Sequence, residues 1–273
     1  MHGADAVYLR QEFEAYFPAD TFIHYRDFST LTGDVLKDED RTIITRIDRT
    51  PAGAPGTHRN FAVKSYRYPP AAQWRTWYRQ SKAHAEFSAL CHLMNFDIPC
   101  VVPAACGVQR SPVGSVASCF LITEFAEGYV SLRDWLRDHP TPNPGESSAL
   151  ADLAHALGGA VRTMHMERLF LSRLSAKNLL VRLAPGGAFE WKLIDHPFAD
   201  FHRQWVVARF MQSYDLGRLK NSLVRYGQEK MFEDFLETYS PDPLGRSDDS
   251  LRRNIAFGVG LRLNRRGRAR SRN

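Results

Sequence analysis

Two residues in the second half of the chain could hold a cation at their spacing, and a third beside them carries the opposite charge. The stretch from Met164 to Val181 reads as a helix end, a short loop and then a strand. The helix runs from about Ser148 and keeps an apolar face of Leu150, Leu153, Leu157, Val161 and Met164. Leu179-Leu180-Val181 opens a buried strand. Pro185-Gly186-Gly187 turns the chain, and Phe189 to Ile194 returns it to Asp195. Asn178 and Asp195 then stand at the open ends of two neighbouring antiparallel strands. An amide oxygen and a carboxylate so placed suit one hard cation with its waters, such as Mg²⁺ bridging phosphates. Arg173, five residues before Asn178, puts a guanidinium in the same loop.

Other elements must position this loop. A first hairpin is expected in residues 28–48, turning at Lys37-Asp38-Glu39-Asp40, where no glycine would let backbone approach a phosphate. Phe61 to Tyr66 reads as a strand carrying Lys64. A helix follows over about 71–95, with Ala83, Phe87, Leu90 and Met94 on one face and Glu86 on its flank. Ser118 to Phe125 is a central strand that ends at Ala126-Glu127-Gly128. Ser131-Leu132-Arg133-Asp134 is a capping-box pattern opening a short helix, and a loop from Pro140 to Gly145 precedes the long helix. Helices are expected over about 204–226, containing Asp215, and over 229–239, with Met231, Phe232, Phe235 and Leu236 on one face.

Taken in order, these pieces resemble the protein-kinase-like fold. Ala62-Val63-Lys64 is similar to the kinase strand lysine, and Glu86 to its helix partner. Glu124-Phe125-Ala126 is similar to the hinge, and Ile194-Asp195 to the metal-binding turn, with His196-Pro197 where kinases have Phe-Gly. Leu171-Ser172-Arg173 stands where the family has His-Arg-Asp. With Leu174-Ser175-Ala176-Lys177-Asn178 and Asp215-Leu216-Gly217-Arg218-Leu219 added, the chain most resembles the lipopolysaccharide core kinases of Kdo and heptose type, over roughly residues 30–240.

The resemblance implies an α+β, bilobal protein-kinase-like fold, with an antiparallel sheet plus helix in the N-lobe and a mostly helical C-lobe. It implies an N-lobe over 28–127 and a C-lobe over 128–250, beside an extension over 1–27 and a basic tail over 251–273 that residue composition marks. It implies ATP and Mg²⁺ as cofactors. Lys64 would hold phosphate, Glu86 would orient Lys64, and backbone groups of Glu124 to Ala126 would meet adenine. Asn178 and Asp195 would hold metal, and Asp215 would support the loop, with Arg173 as a second possible partner. The proton-accepting Asp has no counterpart.

Composition agrees with a globular chain of 273 residues, 44 % hydrophobic and 24 % charged. No apolar run approaches the roughly 18 residues of a membrane span. The start lacks a basic-then-apolar export pattern, and four cysteines, Cys91, Cys100, Cys106 and Cys119, match no zinc spacing, so a cytoplasmic setting is expected. Eight of the 36 basic residues lie from Arg252 onward with no acid among them, and the rest of the chain, 28 basic against 30 acidic, is nearly neutral. The tail is expected to be disordered at its end. It could meet anionic lipid at the inner membrane or a lipopolysaccharide-related anion, serve only solubility, or, least favoured, bind nucleic acid.

Function divides on Arg173, which keeps its proton and cannot be a general base. One reading is a pseudokinase, or low-activity kinase, that binds nucleotide and a protein partner in envelope biogenesis. Another is an active phosphotransferase on a core sugar with an unconventional base. A third moves a nucleotidyl group. His165, His196 and His202 read as helix-end or turn residues, and Asp200 as a remote stand-in base.

Overall fold

The computed structural model describes residues 6–17, 33–39, 41–52, 56–69, 73, 76, 80–247 and 249–255. The tail beyond 255, Asp40 and most of 70–79 lie outside these. The chain divides into two compact units, Met1–Met94 with Val101–Glu127, and Asn95–Cys100 with Gly128–Asn273.

The first unit is built on a six-stranded antiparallel sheet. Its strands are β1 (Ala6–Leu9), β2 (Asp34–Glu39), β3 (Thr42–Arg49), β4 (Arg59–Arg67), β5 (Pro103–Arg110) and β6 (Val116–Glu124), in the order β1-β5-β6-β4-β3-β2. Alternation along β4 sends Phe61 and Val63 to one face and Lys64 and Tyr66 to the other. The first face packs with Phe13, Tyr16, Phe17, Ile47, Phe120 and Ile122 into one apolar cluster. Residues 6–17, expected as an extension packed on the lobe, therefore supply an edge strand and three core aromatics. Helix α1 (Lys82–Asn95) carries Glu86. It starts later than the apolar periodicity suggested. Ser81 lies outside the helix and its hydroxyl accepts from the His84 N–H at 3.1 Å, an N-cap that stops the helix from extending backward.

The second unit is mostly helical. It comprises α2 (Leu132–Asp138), α3 (Pro144–Met166), α4 (Trp205–Val224) and α5 (Glu229–Tyr239). It also has β7 (Val130–Ser131), β8 (Leu169–Phe170), β9 (Leu179–Leu183), β10 (Phe189–Leu193) and β11 (Asp200–Phe201), in the orders β10-β9-β7 and β11-β8. Helix α3 begins four residues before the expected start. Asn143 and Glu146 close a capping box around Pro144, so the Pro–Gly pair belongs to the first turn, not to the loop. The five apolar positions read from the sequence are all buried, and they fix α3 as the element that delivers the chain to the Arg173 loop. No described helix is long and apolar enough to cross a membrane.

Candidate functional site

In the first unit, Lys64 Nζ lies 3.2 Å from Glu86 Oε2, and Tyr66 donates its hydroxyl to the same oxygen at 2.7 Å. Glu86, expected on the helix flank, is only 3 % exposed. Periodicity weighs apolar residues alone, whereas this carboxylate is buried because a lysine and a tyrosine from one strand face meet it. Tyr66 was not singled out from sequence, although its place two residues after Lys64 puts it on the same face. At the end of β6, the N–H groups of Glu124 and Phe125 donate to the carbonyls of Val102 and Asn60 at 2.9 and 2.8 Å, and the Glu124 carboxylate accepts from Arg59 at 2.7 Å. Of the donors in this stretch, the Ala126 N–H alone has no partner among the described residues.

In the second unit, the β9–β10 hairpin sets two of the predicted residues close together. Leu179 pairs with Leu193 across the ladder, and the Ile194 N–H donates to the Asn178 carbonyl at 3.0 Å. Asn178 is buried, and its Nδ2 donates to the backbone carbonyls of Arg173, at 3.1 Å, and Asp195, at 3.3 Å. Two carbonyl acceptors fix the amide's orientation and leave Oδ1 as its remaining acceptor. Asp195 holds a left-handed backbone, φ 61°, as do Arg168 (63°) and Ser172 (59°). Non-glycine residues rarely stay there unless their surroundings impose it; apart from Asp97 (54°), such residues in this unit fall on the Arg173 loop and the Asp195 turn.

Helix α4 pins that loop at two points. Asp215, fully buried, accepts the Leu171 N–H at 2.7 Å, and Ser222 Oγ accepts the Ala176 N–H at 2.9 Å. The two lie seven residues apart on one helix face, a spacing that could have pointed to Ser222. Behind Asp215 stands His165, whose Nε2 is 3.7 Å from Asp215 Oδ2 and whose Nδ1 is 2.7 Å from the Tyr239 hydroxyl. Burial pushes the Tyr239 hydroxyl well above its ordinary range, so it stays protonated. Gln212 Nε2 donates to that hydroxyl, so Tyr239 ties His165 to the Gln212 side chain. His165 is thus a support for the loop anchor.

Arg173 reaches Asp195, not Asp215. Its Nη1 lies 3.5 Å from Asp195 Oδ2, and its guanidinium stacks over the Phe198 ring, 4.5 Å from the centroid. His196 is buried at the turn, and Asp200 is exposed on β11, accepting the Phe201 N–H with its own Oδ1. No group of three His, Cys, Asp or Glu among the described residues could ligate a metal. The oxygens of Asn178 and Asp195 nevertheless fit Mg²⁺, which takes one or two protein ligands and completes its shell with phosphates and water. Arg173 would compete there for the Asp195 carboxylate.

A six-stranded antiparallel sheet with one carboxylate-bearing helix, followed by a helical unit with an Asn–Asp hairpin and a loop anchored on a buried Asp, defines a protein-kinase-like fold. A solved structure described as WaaP in complex with acyl carrier protein superposes with a TM-score of 0.63 at 19 % identity, over 95 % of this chain and 97 % of that one. The family model for lipopolysaccharide kinases, Kdo/WaaP, matches residues 71–239, and the chain belongs to that family. No curated protein matches it by sequence.

Proposed function

We propose that this member of the lipopolysaccharide kinase family is a pseudokinase, or a kinase of very low activity, acting in core or envelope biogenesis. The observation that supports this reading is the contact of the Arg173 guanidinium with Asp195, Arg173 being the residue at which the resemblance would put the base. A positioned general base contributes about 10² to 10⁴-fold to proton transfer, and a guanidinium cannot take that proton. Lys64, oriented by Glu86, would meet nucleotide phosphate, and the Ala126 N–H would meet the base. Asn178 and Asp195 would hold Mg²⁺, which when bound neutralises charge on the phosphates. Asp215 holds the loop backbone in place. The intact Lys64–Glu86 pair favours a second reading, an active phosphotransferase on a core sugar in which another group takes the proton. Nucleotidyl transfer is a third. A protein partner is part of the first reading, since the WaaP structure was solved with acyl carrier protein.

The test is a nucleotide titration with and without Mg²⁺, read as a shift in Tm. ATP with Mg²⁺ is expected to raise Tm, and Asp195→Ala to abolish the rise. Phosphate transfer to a core sugar by the natural protein would defeat the pseudokinase reading. Activity appearing only in Arg173→Asp would identify the loop as the cause of silence.

A further inference from the structure

A pocket of about 180 Å³ opens within the second unit between α2, the loop and α4. It is lined by four cations, Arg133, Lys177, Arg218 and Arg225, and by no acid. Arg133 is neutralised by Asp134 at 2.9 Å. Lys177, Arg218 and Arg225 have no carboxylate partner among the described residues. Arg218 Nε is buried without a hydrogen bond, and its Nη1 meets only the Tyr214 hydroxyl, at 3.3 Å. Like charges around one small pocket repel, and a buried donor left unmade costs about 1–3 kcal/mol. Arg225, at the end of α4, gains from the helix dipole, but Lys177 and Arg218 do not. No side chain lining the pocket supplies the opposite charge, so an anion would complement it.

We propose that this pocket binds a phosphomonoester dianion. Guanidinium groups match phosphate oxygens in two-point contacts, and Lys177 adds a point charge. The pocket shares no residue with the Asn178 and Asp195 pair, and binding there needs neither nucleotide nor transfer. Arg218 also lines a neighbouring pocket of about 450 Å³ with Phe198, Phe210 and Met211, which reaches Ser172 and Arg173 of the loop. An apolar body attached to the phosphate would lie there, so the same chemistry could arrive as a lipid headgroup or as free phosphate.

The test uses the full chain without nucleotide or Mg²⁺. One arm titrates inorganic phosphate against Tm. The other measures sedimentation with vesicles containing phosphatidic acid, a monoester, against vesicles of phosphatidylglycerol, a diester, at equal surface charge. The basic tail contributes equally to both vesicle types. Expected is a preference for the monoester, or saturable binding of free phosphate, that falls about tenfold in Lys177→Gln and in Arg225→Gln, the loss of one charge-assisted contact. Both side chains are exposed, so these variants report on binding even where Arg218→Gln fails to fold. Equal binding of monoester and diester with no phosphate arm, or binding untouched by both variants, overturns the proposal.

Discussion

The guanidinium of Arg173 lies 3.5 Å from the carboxylate of Asp195, so a fixed cation already stands beside the residue that would hold a metal. Both side chains are partly exposed, and a pair of this kind contributes at most about 1 kcal/mol. A divalent ion binding at Asp195 must displace or share that contact. Arg173→Ala is therefore expected to lower the Mg²⁺ concentration needed for the nucleotide-dependent rise in Tm, by about fivefold. An unchanged Mg²⁺ midpoint would mean that the two groups do not compete.

The Lys64–Glu86 pair is better buried, with side chains 15 % and 4 % exposed. Removing one charge strands the other, which for a buried pair costs about 3–5 kcal/mol, whereas replacing both by apolar groups costs far less. Lys64→Met alone is expected to lose about 3 kcal/mol in urea unfolding. Lys64→Met with Glu86→Leu should recover more than half of that, while nucleotide binding stays lost in both. Strictly additive losses would show that the pair is not coupled.

The sequence carries the elements more fully than it carries their contacts. The apolar face of α3 and the Asn178–Asp195 hairpin are legible because period and turn residues are local signals. Both misplaced helix starts, at Lys82 and Pro144, trace to a polar side chain, Ser81 or Asn143, whose capping bond outweighs a hydrophobic count. The pairing of β1 with β5 depends on residues about a hundred positions apart, and no local pattern announces it. The same holds for what Arg173 touches, since the direction of a long flexible side chain is set by tertiary neighbours such as Phe198. The cations of the anion pocket come from α2, the loop and α4, and only folding gathers them.

Acid should loosen the second unit through Asp242. Burial alone would push its carboxyl up, but bonds from Arg246, the Leu244 N–H and Gln212 together outweigh it and hold the carboxyl below the usual carboxylate range. A group whose value is depressed on folding adds stability that is complete above its unfolded value, about 3.9. That stability is lost as pH falls through the folded value, because the unfolded chain takes the proton first. Urea midpoints measured from pH 5 down to pH 3 should fall less steeply in Asp242→Asn, by up to one proton in the linkage slope. An identical slope would remove Asp242 from the acid transition.

Two adjacent glycines in α3 should respond to alanine with opposite signs. A Cβ at Gly158 would sit 2.4 Å from the Phe235 carbonyl oxygen of α5, a backbone atom that cannot turn aside. At Gly159 the nearest atom would be the Thr238 methyl at 3.7 Å, an ordinary contact. Gly158→Ala must push α3 and α5 apart, and overpacking of this kind costs about 1–3 kcal/mol. Gly159→Ala meets no obstacle and should gain about 0.5–1 kcal/mol from the helix preference of alanine. Because α3 delivers the chain to the loop and α5 carries Tyr239 against His165, the first variant should also weaken nucleotide or phosphate binding while the second leaves it intact. Equal effects on Tm at the two positions would show that the close approach of α3 and α5 is not what the glycine at 158 provides.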